Sequence, residues 1–227
     1  MKAEKILPVY RIYNRETNLK FFRDVLGMKV LLEDGPMVEL GGHKAGETRI
    51  LLEETPEENY RLSADRVKKH HRTVLLASAA EVASIFRENK AAKAVELQGA
   101  KGFSVISPEG DEFWLIESMQ FEGKEAQGLS DFSVAEVELN VASVTAAKQD
   151  FEIFDEIADK FKLTFAERAP SNLEYTWDIE AIQIQLPKEA DFNQLFDRFS
   201  AFAPYLDPER DLLSVALPEG IELWLEK

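Results

Sequence analysis

The sequence predicts an α+β protein made of paired βαβββ modules, followed by a reduced second domain of the same plan. Two observations support this fold. The twelve residues from Ser104 to Leu115 recur 110 positions later, from Ser214 to Leu225, with eight identities. The order strand, helix, three strands also occurs twice before residue 118, as the hydrophobic periodicity indicates. Self-similarity at a fixed distance is typical of duplicated structural units.

The first module begins with a strand at Val9–Tyr13 and a helix from about Thr17 to Leu26. Gly27 follows the helix in the position that favours a C-terminal cap. Turn signals such as Asp34-Gly35 separate the strands that complete the module. These strands are Lys29–Glu33, Pro36–Leu40 and Thr48–Glu54.

The second module repeats this order up to the hairpin that contains the internal repeat. Its elements are a strand at Arg72–Ala77, a helix at Ala80–Asn89, and strands near Ala94–Gln98, Phe103–Ser107 and Glu112–Glu117. Pro108-Glu109-Gly110 forms the predicted turn of the hairpin, and Pro218-Glu219-Gly220 forms the turn of its copy. Proline presets φ in such turns, and glycine accepts a positive φ.

The segment Met119–Asp131 contains glycine breaks and little periodicity, which predicts a linker. It divides the chain into a first domain of residues 1–118 and a second domain of residues 132–227. The second domain is predicted to be a shorter version of the same plan. Its elements are a strand at Val134–Val141, a helix at Thr145–Lys162, strands at Leu163–Glu167, Tyr175–Ile179 and Ala181–Leu186, a helix at Phe192–Phe202, and strands at Leu212–Leu217 and Ile221–Glu226.

Composition restricts the partners of this protein. The 227 residues carry 42 acidic and 27 basic side chains, for a net charge of −15. This charge repels nucleic acids and anionic membranes and favours cationic ligands or protein partners. The sequence has no cysteine, no apolar run long enough to span a membrane, and no export signal near Met1. We therefore expect a cytoplasmic protein.

Several segments resemble the vicinal-oxygen-chelate superfamily, which includes glyoxalases, extradiol dioxygenases and bleomycin-resistance proteins. The resemblance lies in Ile12-Tyr13-Asn14, Asn18, Phe21-Phe22 and residues 26–30, and in the closing hairpin at Pro108-Glu109-Gly110. The whole chain, with its divergent second domain, resembles the CppA family of streptococci, whose members are described as proteinases that degrade complement C3. The resemblance implies complement C3 as a partner and a role in virulence at the cell surface or outside the cell. It also implies module pairing of the kind that produces homodimers.

The resemblance also implies metal ligands at defined positions, namely a histidine on the first strand of each module and a glutamate on the last. The corresponding first-strand residues are Leu7 and His71, and the corresponding last-strand residues are Ile50 and Trp114. A catalytic divalent ion needs about three protein ligands. We therefore predict no metal and no cofactor here. His71 is either a remnant of the family position or part of a site, and Trp114 either stacks on a ligand or fills the space.

The second domain shows a period-two alternation of polar and apolar residues on three of its strands. Because the apolar residues must face the helices, the polar ones are predicted to share a concave face. Glu136 also lies seven residues before Ser143, which is the first-strand ligand position that the resemblance implies. This face is either a trap for a cation or simply the solvated face of a sheet. Its predicted members are Glu136, Glu138, Asn140, Gln183, Gln185, Glu222, Trp224 and Glu226.

Three classes of function remain open from the sequence. The resemblance implies a C3-degrading proteinase, but no serine, zinc or aspartic protease signature is present; Gly128-Leu129-Ser130-Asp131-Phe132 lacks the second glycine of a nucleophile elbow. A metal-free module of the bleomycin-resistance type would bind a small cationic or aromatic ligand or a protein segment. A divergent glyoxalase-like or dioxygenase-like enzyme is the third class, and the missing ligands argue against it.

Overall fold

The computed structural model describes residues 1–55, 67–124, 128–170 and 178–227. The strands are β1 (Lys5–Ile12), β2 (Lys29–Asp34), β3 (Met37–Gly41), β4 (Thr48–Glu54), β5 (His70–Ala77), β6 (Lys93–Leu97), β7 (Ala100–Ile106), β8 (Glu112–Glu117), β9 (Ser133–Val141), β10 (Lys162–Glu167), β11 (Ile179–Gln185), β12 (Tyr205–Leu206), β13 (Leu212–Ala216) and β14 (Glu222–Glu226). The helices are α1 (Arg15–Lys20, continued by a π-helical turn at Phe21–Val25), α2 (Ala79–Glu88), α3 (Val144–Asp150), α4 (Ile153–Ile157) and α5 (Phe192–Arg198, followed by a 3₁₀ turn at Ser200–Phe202). Within these ranges, no helix is long and apolar enough to cross a membrane.

The strands form two sheets, and the predicted α+β fold of paired modules is confirmed. The eight-stranded sheet has the order β12-β13-β14-β11-β1-β4-β3-β2, and the six-stranded sheet has the order β10-β9-β5-β8-β7-β6. The first strands of two modules pair antiparallel at the centre of each sheet, β1 with β11 and β5 with β9. Each first strand also pairs in parallel with the last strand of its own module.

The partners in each pair differ from the expectation. The first two modules were expected to pair with one another, but the first shares its sheet with residues 179–226 and the second with residues 133–167. Strand pairing at this sequence distance leaves no local signal in the chain. Separate domains at 1–118 and 132–227 remain a prediction. A homodimer also remains a prediction, because the module pairing seen here occurs within one chain and does not test association between chains.

The second half contains one reduced module and one complete module. In the reduced module, β10 follows α4 directly and takes the last-strand position beside β9, so the two middle strands are missing. The helix predicted at Thr145–Lys162 is divided into α3 and α4, because Phe151 ends the first helix and Ala158 has an extended backbone. The predicted strand at Tyr175–Ile179 lies largely outside the described residues, and Ile179 begins β11, the first strand of the complete module.

Four helix caps mark the four modules. Each first strand leads into a residue whose side-chain oxygen accepts a hydrogen bond from a backbone N–H in the first turn of the helix. Such caps satisfy donors that the helix itself leaves unpaired. The capping residues are Asn14, Ser78, Ser143 and Asp191. The predicted turns of the two repeated hairpins are also present, with positive φ at Gly110 and Gly220.

The described part of the predicted linker is anchored to the first module. The Leu129 N–H donates to the Gly27 carbonyl (2.7 Å), and the His43 N–H donates to the Leu129 carbonyl (2.8 Å). Leu129 and Phe132 are fully buried. A Cβ at Gly42 would lie only 2.4 Å from the Ser130 carbonyl oxygen, so the close approach requires glycine there. Residues 128–132 are therefore packed against the first module.

One continuous cluster of buried apolar side chains includes residues of all four modules, for example Leu52, Leu115, Leu139 and Leu223.

We predict that a fragment of residues 1–121 does not fold alone, because β1 and β5 would lose their central partners β11 and β9. Circular dichroism and size-exclusion chromatography should show a loosely folded or aggregated fragment. Co-expression of residues 122–227 should restore cooperative unfolding. A monomeric fragment with its own sharp thermal transition would contradict this prediction.

Candidate ligand-binding cups

Each sheet has one face packed on the helices and one face turned away from them. We call the second face the large cup on the eight-stranded sheet and the small cup on the six-stranded sheet. Strand register defines both. The large cup is formed by Leu7, Val9, Leu51, Ala181, Gln183, Glu222, Trp224 and Glu226, and the small cup by Arg72, Val74, Glu112, Trp114, Glu136 and Glu138.

The structure does not bring the predicted acidic face together. Glu136, Glu138 and Asn140 lie on β9 in the six-stranded sheet, whereas the other predicted members lie on β11 and β14 in the eight-stranded sheet. The period-two pattern gave the orientation of each strand correctly, but it carries no information on which sheet a strand joins. Asn140 is buried, and its side-chain amide donates to the Lys68 carbonyl (3.0 Å), which is a structural role.

The same tryptophan–glutamate arrangement occurs in both cups. The Trp114 Nε1–H donates to a carboxylate oxygen of Glu112 (2.8 Å), and the Trp224 Nε1–H donates to Glu222 (2.7 Å). The two indoles occupy matching positions on the last strands, β8 and β14. The duplication seen in the sequence therefore places one indole in each cup, and the N–H of each indole is already hydrogen-bonded to a glutamate.

A guanidinium of the chain itself fills the small cup. The Arg72 guanidinium carbon lies 4.5 Å from the centre of the Trp114 ring. Arg72 also forms ion pairs with Glu138 (Nε to Oε2, 3.0 Å) and with Glu136 (3.4 Å). Thr164 donates a hydrogen bond to Glu136 (3.0 Å), so these carboxylates are already engaged. The two glutamates predicted as ligand-binding residues here hold Arg72.

His71 lies beside this cluster, and its Nε2 is 3.6 Å from Glu138 Oε2. The register between β5 and β9 shifts at residues 70–72, so the adjacent histidines point into different environments. Among the described residues, no three His, Cys, Asp or Glu side chains converge as metal ligands would. The family's metal does not fit the donors present.

Adjacent strands of the large cup place Leu51, Leu7, Gln183 and Trp224 near its centre. Two alkyl groups, an amide and an indole are a poor donor set for a divalent ion. Ile50, which the sequence assigned to the ligand position, is fully buried on the opposite face, and the neighbouring Leu51 is the residue that faces the cup. The predicted alignment was therefore wrong by one residue, but the replacement is equally unable to bind a metal.

The large cup has an apolar floor and an acidic rim. Leu7, Val9, Leu51 and Ala181 form a separate buried cluster, against which the partly exposed Trp224 packs. Gln183 donates to Glu226 (2.6 Å) on the rim. Gln185, the remaining predicted residue, is exposed on the strand end beside Lys5. Because the floor residues are at most 7% exposed, the surface that the large cup offers consists of Trp224 and the carboxylates of the rim.

One end of the large cup contains the half-buried carboxylate of Glu180. Burial raises the pKa of Glu180, and the carboxylates of Glu222 and Glu53 raise it further, although Lys69 and Arg11 oppose the shift. Arg11 pairs directly with Glu180 (2.5 Å). The raised pKa means that the ionised form of Glu180 is disfavoured, mainly because burial removes its carboxylate from water.

A buried polar chain that sequence reasoning missed lies between the two sheets. His70 Nδ1 is 3.1 Å from Asp111 Oδ1, and His70 Nε2 is 2.8 Å from Thr73 Oγ1. The Thr73 hydroxyl is also hydrogen-bonded to the Tyr10 hydroxyl. The order carboxylate, imidazole, hydroxyl matches a hydrolase triad. However, Thr73 and the His70 ring are 0% exposed, so a substrate has no access.

Two lysines neutralise the carboxylates around this chain. Lys68 Nζ is 2.7 Å from Asp111 Oδ1, and Lys69 Nζ is 3.4 Å from Asp178 Oδ1. Burial alone would raise the pKa of Asp111, but Lys68 and the hydrogen bond with His70 outweigh it and lower the pKa from 3.8 to about 2. Burial raises the pKa of Asp178 despite Lys69.

The fold and the cups define a vicinal-oxygen-chelate-like protein in which, of the ligand positions that the resemblance implies in the first two modules, only the one at His71 keeps a metal-binding residue type. The protein-family model of the CppA N-terminal region matches residues 5–120, and the family model of the CppA C-terminal region matches residues 129–225. The chain therefore belongs to the CppA family. No curated protein sequence matches it.

Solved structures agree with this fold. The CppA protein of Streptococcus pneumoniae TIGR4 is 22% identical, with a TM-score of 0.80 over 99% of this chain and 98% of that one. A proposed dioxygenase of Bacillus subtilis is 13% identical, with a TM-score of 0.67 over 99% and 86%. Glyoxalase I of Zea mays is 14% identical, with a TM-score of 0.63 over 100% and 92%. At these identities the likeness concerns the fold alone.

The low pKa of Asp111 predicts acid sensitivity. Because its folded pKa lies below its unfolded pKa, its ionisation contributes stability above about pH 4, and this contribution disappears as the pH falls towards 2. A shift of this size corresponds to about 2 kcal/mol. We expect Asp111→Asn to lower the free energy of unfolding by at least that amount at pH 7, with a smaller difference at pH 2.5. Urea titrations at both pH values measure this, with the exposed Asp159→Asn as control; an equal difference at both would contradict it.

Proposed function

We propose that this protein is a metal-free binding protein, and that its large cup receives a ligand with an apolar body and a cationic group. The observation that carries the proposal is the Trp224–Glu222 pair above an apolar floor. The indole supported by this floor suits an alkyl or aryl body. The indole face attracts a cation, and the neighbouring carboxylates strengthen that attraction. The net charge of −15 raises the local concentration of cationic molecules further.

The small cup does not compete for the same ligand, because Arg72 already occupies its indole face and pairs with its carboxylates. In the large cup, Ala181 pairs with Glu222 as Arg72 pairs with Glu112 in the small cup, so Ala181 occupies the position that corresponds to Arg72. The proposal therefore assigns binding to one cup and a structural role to the other. A basic segment of a protein such as complement C3 has the chemistry that the large cup requires, and this partner would also require the protein to reach the cell exterior.

We predict that 4-phenylbutylamine raises the melting temperature of the protein and binds in calorimetry, whereas the anionic 4-phenylbutyrate does not. Both probes share the apolar body and differ in charge. Trp224→Leu should weaken amine binding by about five- to thirtyfold, since a desolvated cation–π contact contributes about 1–2 kcal/mol. Trp114→Leu is the matched control and should leave the affinity unchanged. Equal binding of amine and carboxylate, or a loss in both variants, would contradict the proposal.

Proteolysis is a second candidate, and the arrangement of Asp111, His70 and Thr73 is the observation that favours it. For catalysis, Thr73 would act as nucleophile and His70 as its general base, oriented by Asp111. A peptide would reach Thr73 only after β1 had moved away from β5, because Tyr10 covers the hydroxyl. This requirement makes proteolysis the weaker candidate.

We predict that highly purified protein does not cleave complement C3, and that Thr73→Val changes stability but not cleavage. Incubation of C3 with wild type, Thr73→Val and His70→Gln, followed by electrophoresis, measures this. Thr73→Ser is the matched control, because it keeps the hydroxyl. Cleavage by wild type and Thr73→Ser that both other variants lose would establish the buried chain as catalytic and displace the binding proposal.

A further inference from the structure

We infer that the cationic group recognised by the large cup is a guanidinium, as carried by arginine derivatives or by an arginine side chain of a peptide. This inference rests on the proposed binding function and specifies its ligand class. Its basis is that the same chain already holds a guanidinium on the same kind of tryptophan–glutamate pair.

The small cup shows how this pair receives a guanidinium. The Arg72 guanidinium lies over the Trp114 ring at 4.5 Å, while the indole nitrogen is directed to Glu112 (2.8 Å). Two glutamates meet the guanidinium at its edge, at 3.0 and 3.4 Å. The ring therefore offers its face, Glu136 accepts a hydrogen bond from the guanidinium Nη2, and Glu138 lies beside Nε as an ion-pair partner without hydrogen-bond geometry. A planar, weakly hydrated guanidinium satisfies both demands better than a compact ammonium.

The large cup repeats the receiving pair but replaces the arginine. In the small cup, Arg72 pairs with Glu112 in the parallel register and Val74 pairs with Trp114. In the large cup, Ala181 pairs with Glu222 and Gln183 pairs with Trp224. Ala181 therefore corresponds to Arg72, and its methyl group carries no charge to the indole. The position filled from within in one cup has no such side chain in the other.

The residues opposite this position also differ in a way that favours an external arginine. Glu136 and Glu138 pair with Val74 and Arg72 across β5 and β9. The corresponding residues of β1 are Leu7 and Val9, which pair with Gln183 and Ala181. An apolar floor replaces the two carboxylates and supports the indole of Trp224, so no internal carboxylate competes for the cation at this position.

Glu226 already accepts a hydrogen bond from Gln183 and Glu180 is paired with Arg11, so Glu222 is the carboxylate beside Trp224 that meets the guanidinium edge. Glu222 is positioned by the indole nitrogen, and the charges of Glu222 and Glu53 both act on Glu180. Arg11 and Lys69 oppose these negative charges in part. The guanidinium presents five N–H donors in one plane and can bridge two carboxylates, whereas an ammonium acts as a single point charge.

The first experiment compares probes on the wild-type protein by calorimetry. We expect 4-phenylbutylguanidine to bind at least about tenfold more tightly than 4-phenylbutylamine, and Trp224→Leu to remove this preference while Trp114→Leu keeps it. Equal affinities, or tighter binding of the amine, would overturn the inference and leave the binding function intact. No binding of either probe would overturn both. Nα-acetyl-arginine amide and an alanine–arginine–alanine peptide, each with its lysine counterpart, distinguish a free arginine derivative from a peptide segment.

The second experiment tests the small cup as the template. Arg72→Ala should lower the melting temperature, because Glu136 and Glu138 lose their partner. Millimolar ethylguanidine, which replaces the missing side-chain atoms, should recover part of this loss, whereas n-propylamine should not. Arg72→Lys is the matched control and should gain nothing from either compound. Recovery by both compounds alike, or by neither, would show that the tryptophan–glutamate pair does not select a guanidinium. If Arg72→Ala does not fold, the wild-type comparison decides alone.

Discussion

The antiparallel pairing of first strands, β1 with β11 and β5 with β9, is the constraint on which the rest of the structure depends. Each pair joins a strand from one half of the chain to a strand from the other. Because the last strand of each module then adds in parallel, the pairing also fixes which side chains meet in each cup. Gln183 reaches Trp224 on one side and Leu7 on the other only through this register.

The buried polar chain reinforces the same arrangement. Lys69 and Asp178 connect the start of β5 to the start of β11, and the Lys69 ammonium also donates to the Gly220 carbonyl of the last hairpin (2.8 Å). Removing one partner of such a pair leaves a buried charge without compensation, which costs several kcal/mol. The charges are balanced locally, so they specify how the modules join more than they add net stability. This explains a triad-like geometry that is closed to solvent.

Local features of the fold could be predicted from the sequence, and long-range ones could not. The positive-φ glycines of the hairpins and the direction of Trp114 and Trp224, away from the helices, follow from short patterns. Sheet membership depends on contacts between distant residues, such as β1 with β11, which lie more than 100 positions apart. The predicted acidic face therefore combined residues that belong to two different sheets. The burial of His70 could not be predicted either, because the register shifts at residues 70–72 and strict alternation gave no reason to place His70 in the interior.

The two cups show how one duplicated arrangement can serve different ends. A tryptophan whose nitrogen is bound to a glutamate offers only its ring face, and that face attracts a cation. In the small cup the chain supplies the cation, and Glu136 and Glu138 compensate its charge. In the large cup alanine, leucine and valine replace all three charged residues together, which removes an internal ion pair without leaving any member of it unpaired. A coordinated replacement of this kind keeps the indole partly exposed above an apolar floor, and this difference is the reason why we propose the eight-stranded sheet as the ligand-binding one.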